Sequence, residues 1–154
     1  MVRRGVAKAG PAPWLSLVLD SEGLWAVARN DSEDARAALS ASRAAGIPVV
    51  VPSVILAETL HGDQRDARAN QALKNLVVLP TTEEMARVAA VLKRKSGMRG
   101  VKATVDALVV ATSLYLGGGA ILTSDPDDID RLAAAYLDLR VRAILVYGMT
   151  SGSD

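Results

Sequence analysis

The sequence predicts a single α/β domain, a three-layer sandwich in which helices cover both faces of a mostly parallel central sheet. Short apolar runs alternate with longer amphipathic segments along the chain. The 154 residues, 50% of them hydrophobic, suit one globular domain with a sizeable core. Because strands separated by helices need crossover connections, they are expected to form a parallel sheet that is covered on both sides.

Five short apolar runs are the predicted strands. The second is β-branched and is bounded by Pro52, which is typical of a buried strand. The predicted strands are Leu15–Leu19, Ile47–Val51, Leu76–Leu79, Ala120–Thr123 and Ala143–Tyr147.

The longer segments are predicted helices. Thr81 and Glu84 have the spacing of a capping box, so a helix is expected to begin there and to run to about Ser96. Gly97–Gly100 is a predicted loop. The other predicted helices are Asp31–Ala45, Ser53–His61, Asp63–Asn75, Ala103–Leu116 and Pro126–Leu137. We expect flexible tails at residues 1–13 and 149–154 around a domain spanning residues 14–148.

Composition excludes several classes of site. The chain has no Cys, which excludes disulfides, zinc–thiolate centres and cysteine nucleophiles. Its single histidine, His61, excludes a metal site built from several histidines. The net charge of +1 neither requires nor excludes a nucleic-acid partner. No apolar run is long enough to span a membrane, so no membrane-spanning helix is expected. The lack of Cys fits the cytoplasmic location that we expect.

Four acidic residues stand out by position. Asp20 and Asp125 follow predicted strands, and ligands of α/β sheets bind at the carboxyl ends of the strands. Glu58 and Asp106 interrupt strongly apolar helices, where an unpaired carboxylate is costly. Taken singly, each has a structural explanation, because acids commonly cap helices or occupy their first turn.

Taken together, the four acids favour a metal site. No Lys or Arg lies within Leu15–Asp20, Ser53–His61 or Ala120–Asp125 to neutralise them. Gathered carboxylates raise one another's pKa unless a cation is present. Oxygen ligands suit Mg²⁺ or Mn²⁺ rather than zinc, and such ions catalyse phosphodiester hydrolysis without histidine.

The acidic motifs, in this order and spacing, resemble those of the PIN-domain nucleases, and among these the VapC-type toxins of toxin–antitoxin pairs. The motifs are Val-Leu-Asp20-Ser21, Ala-Glu58-Thr59, Asp106-Ala-Leu-Val-Val-Ala-Thr and Leu-Thr-Ser-Asp125-Pro-Asp-Asp128, within a similarity from about Leu15 to Tyr147. The long extension before Leu15 departs from the usual pattern, in which the first acid lies close to the start.

The resemblance implies a set of roles and partners. It makes Asp20, Glu58, Asp106 and Asp125 catalytic, with the metal held by Asp20, Asp106 and Asp125. It adds Asp128 as a further acid and Ser21, Thr123 and Ser124 as accessory hydroxyls. It further implies a Mg²⁺- or Mn²⁺-dependent endoribonuclease that acts on RNA, forms a homodimer and is inhibited by a cognate antitoxin protein.

One basic segment precedes the helix of Asp106. It contains Lys93, Arg94, Lys95, Arg99 and Lys102. These side chains are candidates for binding RNA phosphates. The alternative is a solvated helix end, because cations also favour helix C-termini.

Three other functions compete with a toxin nuclease. A receiver-type signalling module would need paired acids after the first strand, and here Asp20 is followed by Ser21. A scaffold that only binds a partner would not need the full acidic set. A PIN-type nuclease of RNA processing remains an alternative.

Overall fold

The computed structural model of the protein describes residues 14–135 and 141–146. The strands are β1 (Leu17–Leu19), β2 (Val49–Pro52), β3 (Val77–Leu79), β4 (Gly119–Thr123) and β5 (Val141–Leu145). The α-helices are α1 (Ser21–Arg29), α2 (Glu33–Ala44), α3 (Ser53–Thr59), α4 (Ala67–Leu73), α5 (Glu83–Ser96), α6 (Val101–Tyr115) and α7 (Pro126–Ala135). A short 3₁₀ turn, Gln64–Asp66, precedes α4.

The five strands form one parallel sheet in the order β3-β2-β1-β4-β5. Leu17 of β1 pairs with Val49 on one side and with Ala120 on the other. The chain moves outward from β1 to β3 and then returns to β4 on the opposite side of β1. The boundary between β1 and β4 is therefore the topological switch point of the sheet, where α/β proteins bind ligands.

Helices cover the sheet on both faces, which confirms the predicted three-layer α/β architecture. The helix α6 packs over β1, β2, β4 and β5, with α5 and α7 beside it. The helices α1 and α2 contact β1, β2 and β4. Since right-handed crossovers in opposite directions lie on opposite faces of a parallel sheet, these two groups of helices sandwich it.

The core consists of small and medium aliphatic side chains, because the chain has no Phe. Every residue of β1, β2 and β4 is buried, as expected for central strands that are covered on both faces. The helix α6 is buried along most of its length, as its apolar sequence predicts. No helix in residues 14–135 or 141–146 has the length and apolar character that crossing a membrane requires.

Several predicted boundaries need correction. The cap of α5 is Thr82, whose Oγ1 accepts a hydrogen bond from the backbone N–H of Met85, so the predicted capping box at Thr81 was wrong by one residue. The predicted helix Asp63–Asn75 is interrupted, because Asp63 and Asp66 bind backbone N–H groups and shape a turn before α4.

Other boundaries also move. The strand β1 begins at Leu17 rather than Leu15, α2 begins at Glu33 rather than Asp31, and α3 ends at Thr59 rather than His61. The helix α6 begins at Val101, two residues earlier than predicted, which places Lys102 inside it. The strand β5 begins two residues earlier than predicted, at Val141, and ends at Leu145. The last residues of the predicted helix Pro126–Leu137, and the tails predicted at residues 1–13 and 149–154, lie outside the described residues.

Gly23 allows α1 to begin directly over β4. A Cβ atom at this position would lie 2.5 Å from the carbonyl oxygen of Leu122 and 3.0 Å from its Cβ. Those atoms belong to a buried central strand, so they cannot move aside cheaply. The absence of a side chain at Gly23 therefore determines how closely α1, and Asp20 in front of it, approach the end of β4.

We predict that Gly23→Ala lowers the free energy of unfolding by about 1–3 kcal/mol, the usual cost of overpacking a core. Urea denaturation followed by circular dichroism measures it. Ser40→Ala, on the exposed face of α2, is the control and should change stability by less than about 0.5 kcal/mol. Equal effects of the two substitutions would contradict the packing role of Gly23.

Candidate active site

Asp20 lies where β1 ends, at the switch point of the sheet. Its side chain is 8% exposed, and its Oδ1 accepts a hydrogen bond from the backbone N–H of Gly23 at 2.8 Å. Asp20 is thus the N-cap of α1. Burial raises the pKa of Asp20 to about 6, although hydrogen bonds from Thr123 and Gly23 oppose the increase. The N-cap hydrogen bond from Gly23 therefore does not cancel the effect of burial on the pKa of Asp20.

Asp106 lies one turn into α6 and is 7% exposed. Its Oδ2 atom is buried and has no hydrogen-bond partner among the described residues. Burial raises the pKa of Asp106 to about 6; the charge of Lys102 opposes the increase, and those of Asp20, Asp128 and Glu58 add to it. A buried oxygen without a partner is costly, so Asp106 has one interaction still to make.

Asp66 is a buried carboxylate of the same chain in which both oxygens have hydrogen-bond partners. It is 2% exposed, and its two oxygens accept hydrogen bonds from the backbone N–H groups of His61 and Gly62 at 2.7–3.0 Å. The bond from His61 is the main reason that the pKa of Asp66 is lowered. Burial alone therefore does not distinguish the two acids; the difference is that Asp66 has hydrogen-bond partners on both oxygens and Oδ2 of Asp106 has none among the described residues.

Glu58 lies at the end of α3 with its carboxylate exposed. Ser21, the first residue of α1, donates a hydrogen bond from its hydroxyl to Oε1 of Glu58. The charge of Glu58 acts on both Asp20 and Asp106, so the three acids lie in one neighbourhood. The accessory hydroxyl predicted at Ser21 thus contacts a predicted catalytic acid.

Asp125 and Asp128 lie before and within the first turn of α7. The ammonium group of Lys102 is paired with Oδ2 of Asp125 and lies 3.6 Å from Oδ2 of Asp128. Thr123 accepts a hydrogen bond from the backbone N–H of Asp125 at 3.0 Å and also binds the side chain of Asp20, so this buried hydroxyl links two of the acids. Ser124 is exposed.

Lys102 provides a cation that the three short segments carrying Asp20, Glu58 and Asp125 lack. It reaches Asp125 from α6, outside those segments. A signal was present, because Lys102 lies four residues before Asp106 and shares its helix face. The spacing was missed because the helix was predicted to begin at Ala103, which left Lys102 outside it.

The other four residues of the basic segment differ in whether the side chain is bound to a neighbour or exposed to solvent. Lys93 donates a hydrogen bond from Nζ to Oγ1 of Thr104 at 2.7 Å, so it links α5 to α6. Arg94, Lys95 and Arg99 are exposed, near or within the connection between these helices. These three keep the free, solvent-facing character that phosphate binding requires.

The acids are of the ligand type that a hard divalent ion prefers, but their side chains do not form a complete coordination site. They offer oxygen ligands and a buried oxygen that lacks a partner, as Mg²⁺ or Mn²⁺ requires. Among the described residues, however, no three His, Cys, Asp or Glu side chains are grouped so that they hold one ion. Two large surface cavities, of about 670 and 370 Å³, are lined by residues such as Arg36, Leu39 and Arg68 and lie away from the acids.

Comparison with known proteins supports the fold and the family. The PIN domain family model matches residues 17–135, which include all four predicted catalytic acids. No curated protein matches the sequence.

Solved structures are similar at low identity. The VapBC2 complex of Rickettsia felis, bound to a DNA fragment from its promoter, has a TM-score of 0.60 at 11% identity over 84% of this chain and 97% of the other. DNA-bound VapBC from Salmonella typhimurium has a TM-score of 0.59 at 16% identity over 85% and 98%. A toxin–antitoxin complex from Klebsiella pneumoniae has a TM-score of 0.55 at 16% identity over 73% and 89%.

At these identities the structural neighbours establish the fold alone. The family match spans most of the chain and contains the motifs on which the resemblance rested. The chain therefore belongs to the PIN-domain family of nucleases.

Proposed function

We propose that this protein is a metal-dependent endoribonuclease and the toxin of a toxin–antitoxin pair. The observation that carries the proposal is the buried, unpartnered Oδ2 of Asp106, which lies beside Asp20 at the switch point of a PIN-domain sheet. A PIN-type nuclease of RNA processing is the alternative. Mapping RNA 5′ ends after induced expression tests the choice, because a toxin should cut a few sites and stop growth.

Asp20 and Asp106 are the residues that would hold the ion, since both are buried and their charges act on each other. A bound divalent ion would supply Lewis-acid polarisation of the phosphodiester and water of lowered pKa. Thr123 and Gly23 hold the Asp20 carboxylate in place by hydrogen bonds. Glu58, held by Ser21, adds negative charge at the solvent-facing side, where it can accept a proton.

RNA is the proposed substrate, and the exposed side chains of Arg94, Lys95 and Arg99 are its proposed phosphate contacts. They lie next to the start of α6, which is the helix that carries Asp106. Basic side chains at this position would direct the phosphate backbone toward the acids. Lys93 and Lys102 are less available, because each is engaged with a neighbouring side chain.

A cognate antitoxin and a second copy of the chain are the proposed protein partners. The structural neighbours include a toxin–antitoxin complex and two DNA-bound VapBC structures. A partner segment that places an Arg or Lys among the acids would supply the charge they lack. Apolar partner side chains would lie beside α3 and α4, where several leucines are only half-buried: Leu56, Leu60, Leu73 and Leu76.

Asp106→Asn should reduce RNA cleavage by roughly 100-fold or more, since even residues that only support metal ligands contribute about 10–100-fold. Without metal, its melting temperature should be unchanged or higher, because the substitution removes a buried negative charge. Asp127→Asn, at an exposed position of α7, is the matched control and should cleave like the wild type. Full activity in purified Asp106→Asn would show that the site is assigned wrongly.

The pKa values of Asp20 and Asp106 predict the pH dependence. Each is raised from 3.8 to about 6, so the folded protein retains protons that the unfolded chain has released between these values. The stability contributed by the two groups is present at low pH and is lost as the pH rises through about 6. A metal ion needs both carboxylates ionised, so its binding should strengthen over the same range.

We therefore expect MnCl₂ to raise the melting temperature more at about pH 7 than at about pH 5. Differential scanning calorimetry with and without MnCl₂ measures this difference. Asp106→Asn is the control and should lose most of the Mn²⁺ effect at both pH values. A Mn²⁺ effect that does not change with pH would contradict binding by these two carboxylates.

Leu60→Asp should weaken binding of the proposed antitoxin more than Asp20→Asn/Asp125→Asn, because apolar burial adds affinity that charge attraction alone does not. Isothermal titration calorimetry measures the three affinities. Leu15→Asp is the matched control at the opposite end of β1, where Leu15 is 67% exposed, and it should bind like the wild type. Equal affinity of the wild type, Leu60→Asp and Asp20→Asn/Asp125→Asn would rule out inhibition through the acids and the half-buried leucines.

A further inference from the structure

Trp25 is a large aromatic side chain that the core does not use. The chain has two Trp and no Phe, so its few large side chains are expected to fill the core. Trp14 does so, because it packs against the core and donates a hydrogen bond from its indole N–H to Oγ of Ser42 at 3.0 Å. Trp25 is half-buried, and the described side chains that pack against the core do not include it. Core packing therefore does not account for Trp25.

Trp25 shares the outer face of α1 with Glu22 and Arg29. The three residues have i, i+3 and i+7 spacing, which places them on one side of the helix. The buried residues of α1 are Gly23, Leu24 and Ala26. Glu22 and Arg29 are exposed, and the guanidinium carbon of Arg29 lies 5.0 Å from the centre of the Trp25 ring. The helix therefore carries a partly exposed aromatic ring with a cation stacked on it.

This ring lies one helical turn from the candidate active site. Asp20 caps α1, and Ser21, four residues before Trp25, donates a hydrogen bond to Glu58. Residues four apart are neighbours on a helix surface and are separated by about 6 Å along its axis. The outer side of α1 therefore leads from the acids to Trp25 and then to Arg29.

The charge around Trp25 restricts what can bind there. Glu22 is exposed on the same face, and the charges of Glu22 and Glu58 both act on Asp20. This end of α1 repels phosphate groups, so an RNA strand that reaches the acids needs contacts that do not depend on positive charge. Stacking of a base on an aromatic ring is such a contact, and an Arg guanidinium can also stack on a base.

We propose that Trp25 and Arg29 form a subsite that stacks one unpaired base of single-stranded RNA next to the acids. Arg29 lies two turns from Glu22, so a phosphate bound by its guanidinium avoids the acidic end of the helix. RNA is favoured over a partner protein because this side of α1 begins at the acids, where the phosphodiester must lie. The inference rests on the proposed ribonuclease function and names residues that position its substrate.

The first test measures the affinity for a labelled, unstructured single-stranded RNA by fluorescence anisotropy in EDTA, so that binding is observed without cleavage. Trp25→Leu should weaken binding by about 10-fold or more, which is within the range that stacking of one base contributes. The salt dependence should keep its slope, because stacking releases no counterions. Trp25→Tyr keeps an aromatic ring and should bind RNA with an affinity close to that of the wild type.

Two matched controls separate stacking from other effects. Tyr115→Leu removes a ring that is 54% exposed at the far end of α6, and it should bind RNA like the wild type. Lys95→Gln removes a proposed phosphate contact in the last turn of α5 and should make the salt dependence shallower. A salt slope that becomes shallower in Trp25→Leu, as in Lys95→Gln, would contradict stacking.

The second test uses the Trp25 ring itself as the probe. In Trp14→Phe the remaining indole is Trp25, and its fluorescence should be quenched by the RNA but not by a ribose-phosphate strand without bases. In Trp25→Tyr the remaining indole is Trp14, which packs against the core, and its fluorescence should not change. The first of these variants leaves Trp25 in place, so the test does not depend on how well a Trp25 variant folds.

The remaining outcomes separate this inference from the proposed function. Wild-type RNA binding and cleavage by Trp25→Leu, with no quenching of Trp25 in Trp14→Phe, would overturn the inference and leave the ribonuclease function intact. A wild type that neither binds nor cleaves RNA would overturn both. Loss of affinity for the proposed antitoxin in Trp25→Leu, with unchanged affinity for RNA, would assign the ring to the protein partner and overturn the inference.

Discussion

Negative charge buried at the switch point of the sheet is the constraint on which the site depends. Asp20 and Asp106 are almost as buried as the aliphatic core around them. Moving an ionised carboxylate out of water is costly unless a partner compensates, and here burial raises the pKa of both groups to about 6. The fold accepts this cost because packing elsewhere is good: every residue of β1, β2 and β4 is buried. The fully buried centre of the sheet therefore supports two carboxylates whose pKa values burial has raised.

Much of the fold followed from the sequence because it depends on patterns that are local. Apolar runs separated by amphipathic segments predict parallel strands with helical crossovers, and the five strands form that sheet. The positions of Asp20 and Asp125 followed from the same rule, since residues after parallel strands gather at one edge. Boundaries moved where a single hydrogen bond decides them, as at Thr82, which caps α5 in place of Thr81. Two threonines in succession offer the helix two possible starts, and the pattern of side chains cannot choose between them.

The electrostatic details of the site were harder to predict, because they depend on which long side chain reaches which acid. Lys102 of α6 is paired with Asp125, which precedes α7. The spacing of Lys102 and Asp106 on one helix face places this lysine near the acids, but neither local segment identifies Asp125 as its partner. The contrast between Asp66 and Asp106 also needs the three-dimensional structure. Both are buried aspartates, yet backbone N–H groups satisfy one and leave an oxygen of the other without a partner. Sequence position identified the candidate Asp106, and only the three-dimensional structure shows that its Oδ2 lacks the partners that Asp66 has.

The site also depends on contacts between distant parts of the chain. Asp20 belongs to the end of β1, Glu58 to α3, Asp106 to α6 and Asp125 to the segment after β4. The pairing of β1 with β4, together with the close approach that Gly23 permits, brings the first and last of these acids to one edge. Thr123 then joins them through its contacts with the Asp20 side chain and the Asp125 backbone. Since no single helix or strand carries two of the four acids, the charge cluster forms only when this long-range pairing forms. A partner that bound the cluster would therefore stabilise the β1–β4 pairing and with it the centre of the sheet.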